Sequence, residues 1–331
     1  MARVAIVGAG IAGLRVGRRL ETAGHSVALF DKARGPSGRM ATRRLEFGRF
    51  DHGAQYFTAR TSVFAAQVED WIARGVAARW TPRIASLDRG QVQAEERSPD
   101  RYVGTPSMSA VARDLAAGLA LETGVRIAAV KRVGVHWLLV TDDDHPIDGF
   151  DVFVSAVPAP QAVSLLACSP PLERLAHATA YRACHAAMIE FEAPLPVAFD
   201  AAFVHRSPLG WIAHQASKPG RAASNGWVLH STPEWSEGHL DLAADRVGEA
   251  LCAALGEAIG RPLPARRGIA VHRWLFARVE KRVTAESTWD AAQRVGVCGD
   301  WLAGERVEDA YRSGDRLADA MLASLGSSGA A

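Results

Sequence analysis

Val4-Ala5-Ile6-Val7-Gly8-Ala9-Gly10-Ile11-Ala12-Gly13-Leu14, near the start of the 331-residue chain, decides the fold. Four consecutive apolar residues, Val4 to Val7, suit a strand buried on both faces of a parallel sheet. A helical pattern follows the glycines, with Leu14, Leu20 and Ala23 on one side and Gly24 as the stop. Ser26 to Phe30 reads as a second strand ending at Asp31. Each glycine has a task. Gly8 permits the tight turn, Gly10 lets the backbone approach a pyrophosphate, and Gly13 lets the helix pack closely on the strand. The helix start, with Ala9, Ile11 and Ala12 around it, offers unpaired N–H groups and a positive dipole end to phosphates. Asp31 is spaced to accept hydrogen bonds from a ribose diol.

The next segment separates two kinds of dinucleotide. A simple NAD-binding unit runs on through another crossover helix. This chain instead gives Lys32-Ala33-Arg34-Gly35-Pro36-Ser37-Gly38-Arg39-Met40-Ala41-Thr42-Arg43-Arg44, which is Gly-rich and strongly cationic. Arg39 after Gly38 is placed to meet a second stretch of anionic cofactor. A solvated basic loop accounts for the spacing equally well.

Composition bounds the rest. With 48% hydrophobic and 22% charged residues, the chain is globular rather than disordered or fibrous, and its length suits about two domains. Lys and Arg number 38 against 36 acidic residues, a net charge of +2 that argues against a nucleic-acid partner. Cys168, Cys184, Cys252 and Cys298 form no CxxC pair, so zinc or thioredoxin-like chemistry and a disulfide scaffold are not expected. Glycines and trailing arginines make the apolar N-terminus unlike a signal peptide. The uncharged stretch Val152 to Leu172 carries four prolines and does not read as a membrane helix. A cytoplasmic protein with no membrane partner is expected; the sequence sets no oligomeric state.

The segment Asp31 to Thr42 resembles the Gly-Gly-Arg region of the flavin amine oxidase superfamily, and within it the renalases most closely. Asp51-His52-Gly53-Ala54-Gln55-Tyr56-Phe57-Thr58 is similar to the renalase block that lies against the flavin. Looser similarity continues through Val154-Ser155-Ala156-Val157-Pro158 and Cys298-Gly299-Asp300, so it touches both ends and the middle of the chain. The resemblance implies FAD contacts from Ala12, Lys32, Gly38, Arg39, Met40, Gln55 and Tyr56. It also implies that the strand near Val130 passes the adenine, that Asp300 after Gly299 bonds a ribityl hydroxyl, and that backbone N–H groups around Val307 face the flavin pyrimidine edge. A plain core strand at Val130 and an N-cap or turn role for Asp300 are the competing readings. Two departures stand out. Ser37 replaces the first glycine of the pair, which carries a penalty if that backbone is left-handed. The Ser-Gly-Gly-Cys that anchors flavin covalently in mitochondrial monoamine oxidases is missing, so noncovalent FAD is expected.

The fold class expected is α/β, α+β overall. A Rossmann-like FAD-binding domain with a parallel sheet, from residues 1–58, 101–165 and 270–326, carries an inserted substrate domain, 59–100 and 166–269, on an antiparallel sheet packed by aromatics. Residues 327–331 are expected as a flexible tail. Helical periodicity covers Ser107 to Ala120; Val125 to Val130, Trp137 to Thr141 and Phe150 to Ala156 read as strands; Val307 to Leu325 mark a long amphipathic helix.

No Ser/His/Asp, metal-ligand or paired-carboxylate arrangement emerges, and hydride transfer to a flavin needs none of them. Gln55, Tyr56 and His52 are the candidate catalytic residues; His52 is the histidine lying in the flavin-facing block. The renalase resemblance implies oxidation of 2- or 6-dihydroNAD(P) isomers to NAD(P)+, with oxygen reduced to hydrogen peroxide. Lys218 and Arg221 are candidates for the donor's phosphates, a solvated loop being the alternative. Trp211 and Trp274 are candidates for the substrate ring or, with Tyr56, for an amine cage. Leu275 and Phe276 would make the substrate side more apolar. An amine oxidase and a non-catalytic flavin carrier remain as alternatives.

Overall fold

The computed structural model describes residues 1–94, 99–281, 283 and 287–327. Contacts group Met1–Arg39, Val111–Ala180 and Val279–Ala331 into one compact unit, and Met40–Ala110 with Tyr181–Arg278 into a second. These seams differ from the expected pieces. Residues 40–58, 101–110 and 270–278 go with the second unit, and 166–180 with the first. The tail expected at 327–331 lies outside the described residues except for Ser327, which ends a helix.

The first unit is built on a six-stranded sheet. Strand β1 (Arg3–Val7) lies at its centre, paired in parallel with β2 (Ser26–Asp31) and with Val152–Ser155. Val295–Val297 and Ala120–Thr123 extend the parallel run on either side, and Trp289–Asp290 closes one edge antiparallel. Val4, Ala5 and Ile6 are fully buried, as a strand covered on both faces requires. Helix α1 (Ile11–Thr22) packs against the C-terminal helix Val307–Ser327, so closely that a Cβ at Gly314 would come 2.5 Å from the Ala12 carbonyl oxygen. Arg15 and Arg19 bind Asp315 across that contact at 2.6 and 2.9 Å. Leu14 and Leu20 are buried as the periodicity requires, whereas Ala23 is an exposed C-cap.

Three local expectations change. The run Phe150 to Ala156 is two strands, Pro146–Phe150 and Val152–Ser155. The break falls at Asp151, whose carboxylate accepts the Arg3 N–H at 2.8 Å. Val130 lies in Ile127–Val133, part of a three-stranded antiparallel sheet with His136–Thr141 and Pro146–Phe150 rather than in the parallel sheet. The helix read from Ser107 to Ala120 is confined to Ala110–Ala116; Ala120 instead begins the outer parallel strand.

The second unit carries a seven-stranded sheet in the order Arg266–Lys281, Ala180–Phe191, Gly226–Ser231, Leu209–His214, Ala201–His205, Ile84–Asp88, Gln91–Ala94. From Ala180–Phe191 to Gln91–Ala94 the neighbouring pairs are antiparallel except Ala201–His205 with Ile84–Asp88, which run parallel. Helix Ala244–Ile259 covers one face, with Val247, Leu251 and Leu255 against Ile212, Leu229, Phe191 and Phe199. Trp227 belongs to this core, edge-on to Phe199 at 6.1 Å. The hairpin β3 (Thr42–Leu45) and β4 (Gly48–Asp51) adds a small ribbon that delivers Asp51 to the unit's interior.

Candidate functional site

In the first unit, the C-terminal ends of Arg3–Val7, Val152–Ser155 and Val295–Val297 lie in register, Val7 opposite Ser155 and Ser155 opposite Val297. Ligands of open parallel sheets bind outside such strand ends. The glycine loop leaves from this edge. Gly8 has φ +107°, and a Cβ there would lie 2.8 Å from the Ala156 carbonyl oxygen. At Gly13 the same atom would come 2.2 Å from the Gly8 oxygen, so helix and strand touch only because both residues lack a side chain. Gly10 differs: a Cβ there would meet no heavy atom within 4 Å. Gly10 is the N-cap of α1 and provides no side-chain cap, so the first-turn N–H groups face this space with their dipole.

Asp31 is bound differently from expectation. Its Oδ2 accepts the Ala9 N–H at 2.7 Å and its Oδ1 the Ala33 N–H at 2.8 Å, so it braces the glycine loop. Lys32 and Gly38 are exposed, and Met40 is buried. Arg39 and Asp300, 261 residues apart, form a two-pronged ion pair with both N···O distances 2.7 Å. Asp300 Oδ1 also accepts the Trp301 N–H at 3.0 Å, which is the competing turn role. The Gly299 N–H donates to Ser313 Oγ at 3.1 Å. Val307 opens the C-terminal helix, but the first turn there carries Glu308 and Asp309, and Asp309 Oδ2 accepts the Arg306 N–H at 3.1 Å. Carboxylates at that end compete with any anion approaching its N–H groups. Ser37 has φ +149°, a conformation that favours glycine, so the serine is strained as the sequence anticipated.

In the second unit, Asp51 is the hub of a buried polar cluster. Its carboxylate accepts from Thr42 Oγ1 at 2.6 Å, the Met108 N–H at 3.0 Å, Arg221 NH2 at 2.6 Å and Lys218 Nζ at 3.4 Å. Lys218 also reaches Gln55 Oε1 at 3.1 Å and Gln215 Oε1 at 3.5 Å. Gln55 Nε2 donates to the Asp51 and Gly53 carbonyls, so the amide is fixed at both ends. Burial alone would raise the Asp51 carboxyl, but the Lys218 and Arg221 charges bring it down to about 2. For Lys218 burial dominates and lowers the ammonium to about 8, with Asp51 opposing.

This corrects the reading of Lys218 and Arg221. Lys218 is fully buried and Arg221 is held by Asp51 and the Gly104 and Pro219 carbonyls. Neither is a solvated loop cation: Lys218 directs its three N–H at Asp51, Gln55 and Gln215, which leaves none for a donor's phosphates, and Arg221 places three of its five on protein oxygens. The sequence concealed this because Gln215-Ala216-Ser217-Lys218-Pro219-Gly220 reads as a surface turn. Gln215, which accepts the Asp51 N–H at 3.0 Å, was missed for the same reason.

Two aromatic clusters flank these residues in the chain. Tyr56 lies 5.6 Å from Trp211 and 6.1 Å from Trp80, with the Arg101 guanidinium 4.8 Å above its ring. Trp80 and Arg101 were not anticipated. Trp274 joins a different group: His52 and His272 lie 5.0 and 4.2 Å from it, and its Nε1 donates to the His52 carbonyl at 3.0 Å. Tyr56, Trp211 and Trp274 therefore do not build one cage. His52 Nδ1 bonds the Ala41 carbonyl at 3.1 Å. Burial, then the His272 and Arg43 charges, lower His52 to about 3; burial lowers His230 and His272 to about 4. All three are neutral near pH 7. Leu275 is exposed, and Phe276 packs edge-on to Tyr181 at 5.8 Å.

Comparison with known proteins follows the same outline. Residues 6–69 match the family described as NAD(P)-binding Rossmann-like domain. An Exiguobacterium sp. 255-15 protein, a candidate protoporphyrinogen oxidase, superposes with a TM-score of 0.79 at 14% identity, covering 98% of this chain and 99% of its own. Putrescine oxidase bound to putrescine gives 0.69 at 13% identity over 97% and 99%. A CLA-producing fatty acid isomerase from P. acnes gives 0.72 at 13% identity over 95% and 97%. The chain shares their whole-length fold. Oxidases and an isomerase stand side by side in this group, so the fold does not select the reaction. Among the described residues no helix is long and apolar enough to cross a membrane, and no cluster of His, Cys, Asp or Glu is arranged to hold a metal.

Proposed function

We propose that this chain is an FAD-dependent oxidoreductase that holds its cofactor noncovalently. The residues of the first unit fit a dinucleotide: an uncapped helix start at Gly10 with open space above it, glycines that only a backbone can fill, and Asp300 fixed to Arg39 beside them. The Gly8–Gly13 backbone would hold the diphosphate, Arg39 its charge, and Asp300 a ribityl hydroxyl. Asp31 would meet the ribose while bracing the loop. When bound, the isoalloxazine ring supplies a two-electron centre that accepts hydride and is reoxidised by oxygen. Cys298 is wholly buried and its thiol is pushed up by burial, which supports the noncovalent mode.

For the substrate class the reading follows the renalase resemblance of Asp51–Thr58, and the neutral histidines at and beside that block support it. An amine donor must reach the ring neutral and lose a proton, which calls for a base. His52 and His272 are too weakly basic for that task near pH 7, with values of about 3 and 4. One face of Tyr56 carries the Arg101 guanidinium, 4.8 Å from the ring centroid. A dihydronicotinamide needs no base, because loss of hydride restores its aromatic ring. The renalase resemblance of the Asp51–Thr58 block names the donor in this reading: 2- or 6-dihydroNAD(P), oxidised with O2 and a proton to give NAD(P)+ and hydrogen peroxide. In it Gln55, locked by Lys218, Asp51 and Gly53, is a fixed hydrogen-bonding wall. His52 offers its neutral ring edge, and Tyr56 an aromatic surface.

Anaerobic mixing with the two dihydroNAD(P) isomers and with putrescine tests this. Rapid bleaching of the oxidised flavin band by a dihydronicotinamide and not by putrescine is expected. Bleaching by the amine alone would overturn the substrate class, and no bleaching by any donor would leave a flavin-binding protein without this turnover.

A further inference from the structure

Ser37 is an expensive residue for its place. Its backbone has φ +149°, where glycine is at ease and an L side chain is not. The residue is 3% exposed, and its buried Oγ has no hydrogen-bond partner among the described residues. A buried hydroxyl without a partner is a second cost on top of the strained backbone. Glycine at position 37 would remove both. The location explains the choice. The Ser37 N–H donates to the Ala9 carbonyl at 3.0 Å, which ties the residue to the glycine loop. The neighbouring Gly38 is packed so that its Cβ would stand 3.4 Å from Gly10 Cα. Ser37 therefore lies beside the uncapped start of α1, where Gly10 has open space around it.

We infer that Ser37 is a diphosphate-binding residue, its hydroxyl donating to a phosphate oxygen of the dinucleotide alongside the first-turn N–H groups of α1. This rests on the reading that the first unit holds a dinucleotide, and it adds to that site a side-chain donor that backbone and Arg39 do not supply. A hydroxyl donor to an anion is a charge-assisted bond, stronger than a neutral one and shared with the helix dipole.

The experiment measures two quantities expected to move in opposite directions. Apo-protein is prepared as wild type, Ser37→Gly and Ser37→Ala. Each is titrated with FAD and with ADP, and melted without ligand. Ser37→Gly should melt higher than wild type, since strain and the buried hydroxyl are both relieved, while binding FAD and ADP about 10- to 100-fold more weakly. Ser37→Ala keeps the strained backbone but should show the same loss of affinity. Unchanged or tighter FAD binding in Ser37→Gly would overturn the assignment. So would a lower melting temperature in that variant, which would mean that the hydroxyl serves the fold. Wild-type protein that binds neither FAD nor ADP would bring down the cofactor reading itself, a result distinct from either of these.

Discussion

Replacing Lys218 by Met removes one buried charge and keeps an unbranched chain of similar length. Lys218 and Arg221 share one carboxylate, Asp51, so the ammonium is the surplus charge in the cluster. Burial lowers its pKa from 10.5 to about 8. Between those values the unfolded chain still binds a proton that the folded chain has released, so stability rises with pH across this window. The gain by its upper end is about 3 kcal/mol. In Lys218→Met that gain is absent, and the groups that feel the Lys218 charge, Asp51 and His230, titrate below this window in the folded protein. At pH 7, where the native ammonium bears its full burial cost, the variant should melt at or above wild type. From pH 7 to 10 the wild type should then gain about 2.5 kcal/mol of this on it, about 5–10 °C at about 2–4 °C per kcal/mol. Thermal melts followed by tryptophan fluorescence at pH 7, 8, 9 and 10 measure the difference directly. Parallel profiles would refute the reasoning, and so would a variant already destabilised by several kcal/mol at pH 7, because attraction to Asp51 would then outweigh burial. Asp51→Asn is the counterpart. It strands two buried cations and should cost about 3–5 kcal/mol at neutral pH.

Two glycines that look alike in sequence should respond differently. Gly13→Ala places a Cβ 2.2 Å from the Gly8 oxygen and should unfold or severely destabilise the first unit; Gly10→Ala meets no atom within 4 Å and should leave the apo melting temperature nearly unchanged while weakening FAD binding. Equal FAD affinity in Gly10→Ala would remove the pyrophosphate from that place. His52 is held at about 3 against an ordinary 6.5, so the unfolded chain takes up a proton that the folded chain refuses, and stability falls as pH drops below 6.5. His52→Phe should lose about 3 kcal/mol less than wild type between pH 6.5 and 4 by urea unfolding, and an identical acid profile would contradict the neutral assignment. Arg39→Ala removes the partner of a nearly buried Asp300. It should lose FAD during purification, and full flavin occupancy would deny Arg39 its role.

Local chemistry made the first unit readable. Val4 to Val7 is a continuous apolar run, and the three glycines have spacing that only close backbone packing explains, so the strand–loop–helix–strand opening stands in the structure as read. The outer parallel strand Ala120–Thr123 escaped because Ala-Leu-Glu-Thr has no apolar run, its residues being largely exposed at the sheet edge. The candidate site was legible residue by residue but not in its pairings. Arg39 and Asp300 were each chosen for a cofactor, yet nothing in a linear chain shows two residues 261 positions apart binding each other. The Asp51 cluster was hidden further, since a lysine before Pro-Gly carries every mark of a surface turn. A usable signal existed in the scarcity of lysine: the chain has four against many arginines, and a retained lysine invites the question of what it touches.

The central claim is that the chain binds FAD without a covalent bond. Purified protein is denatured, the supernatant is analysed for flavin, and apo-protein is titrated with FAD. About one FAD released per chain, or saturable rebinding at that ratio, is expected. Flavin that stays with the precipitated polypeptide would contradict the noncovalent mode, and protein that releases none and fails to take up added FAD would contradict the account as a whole.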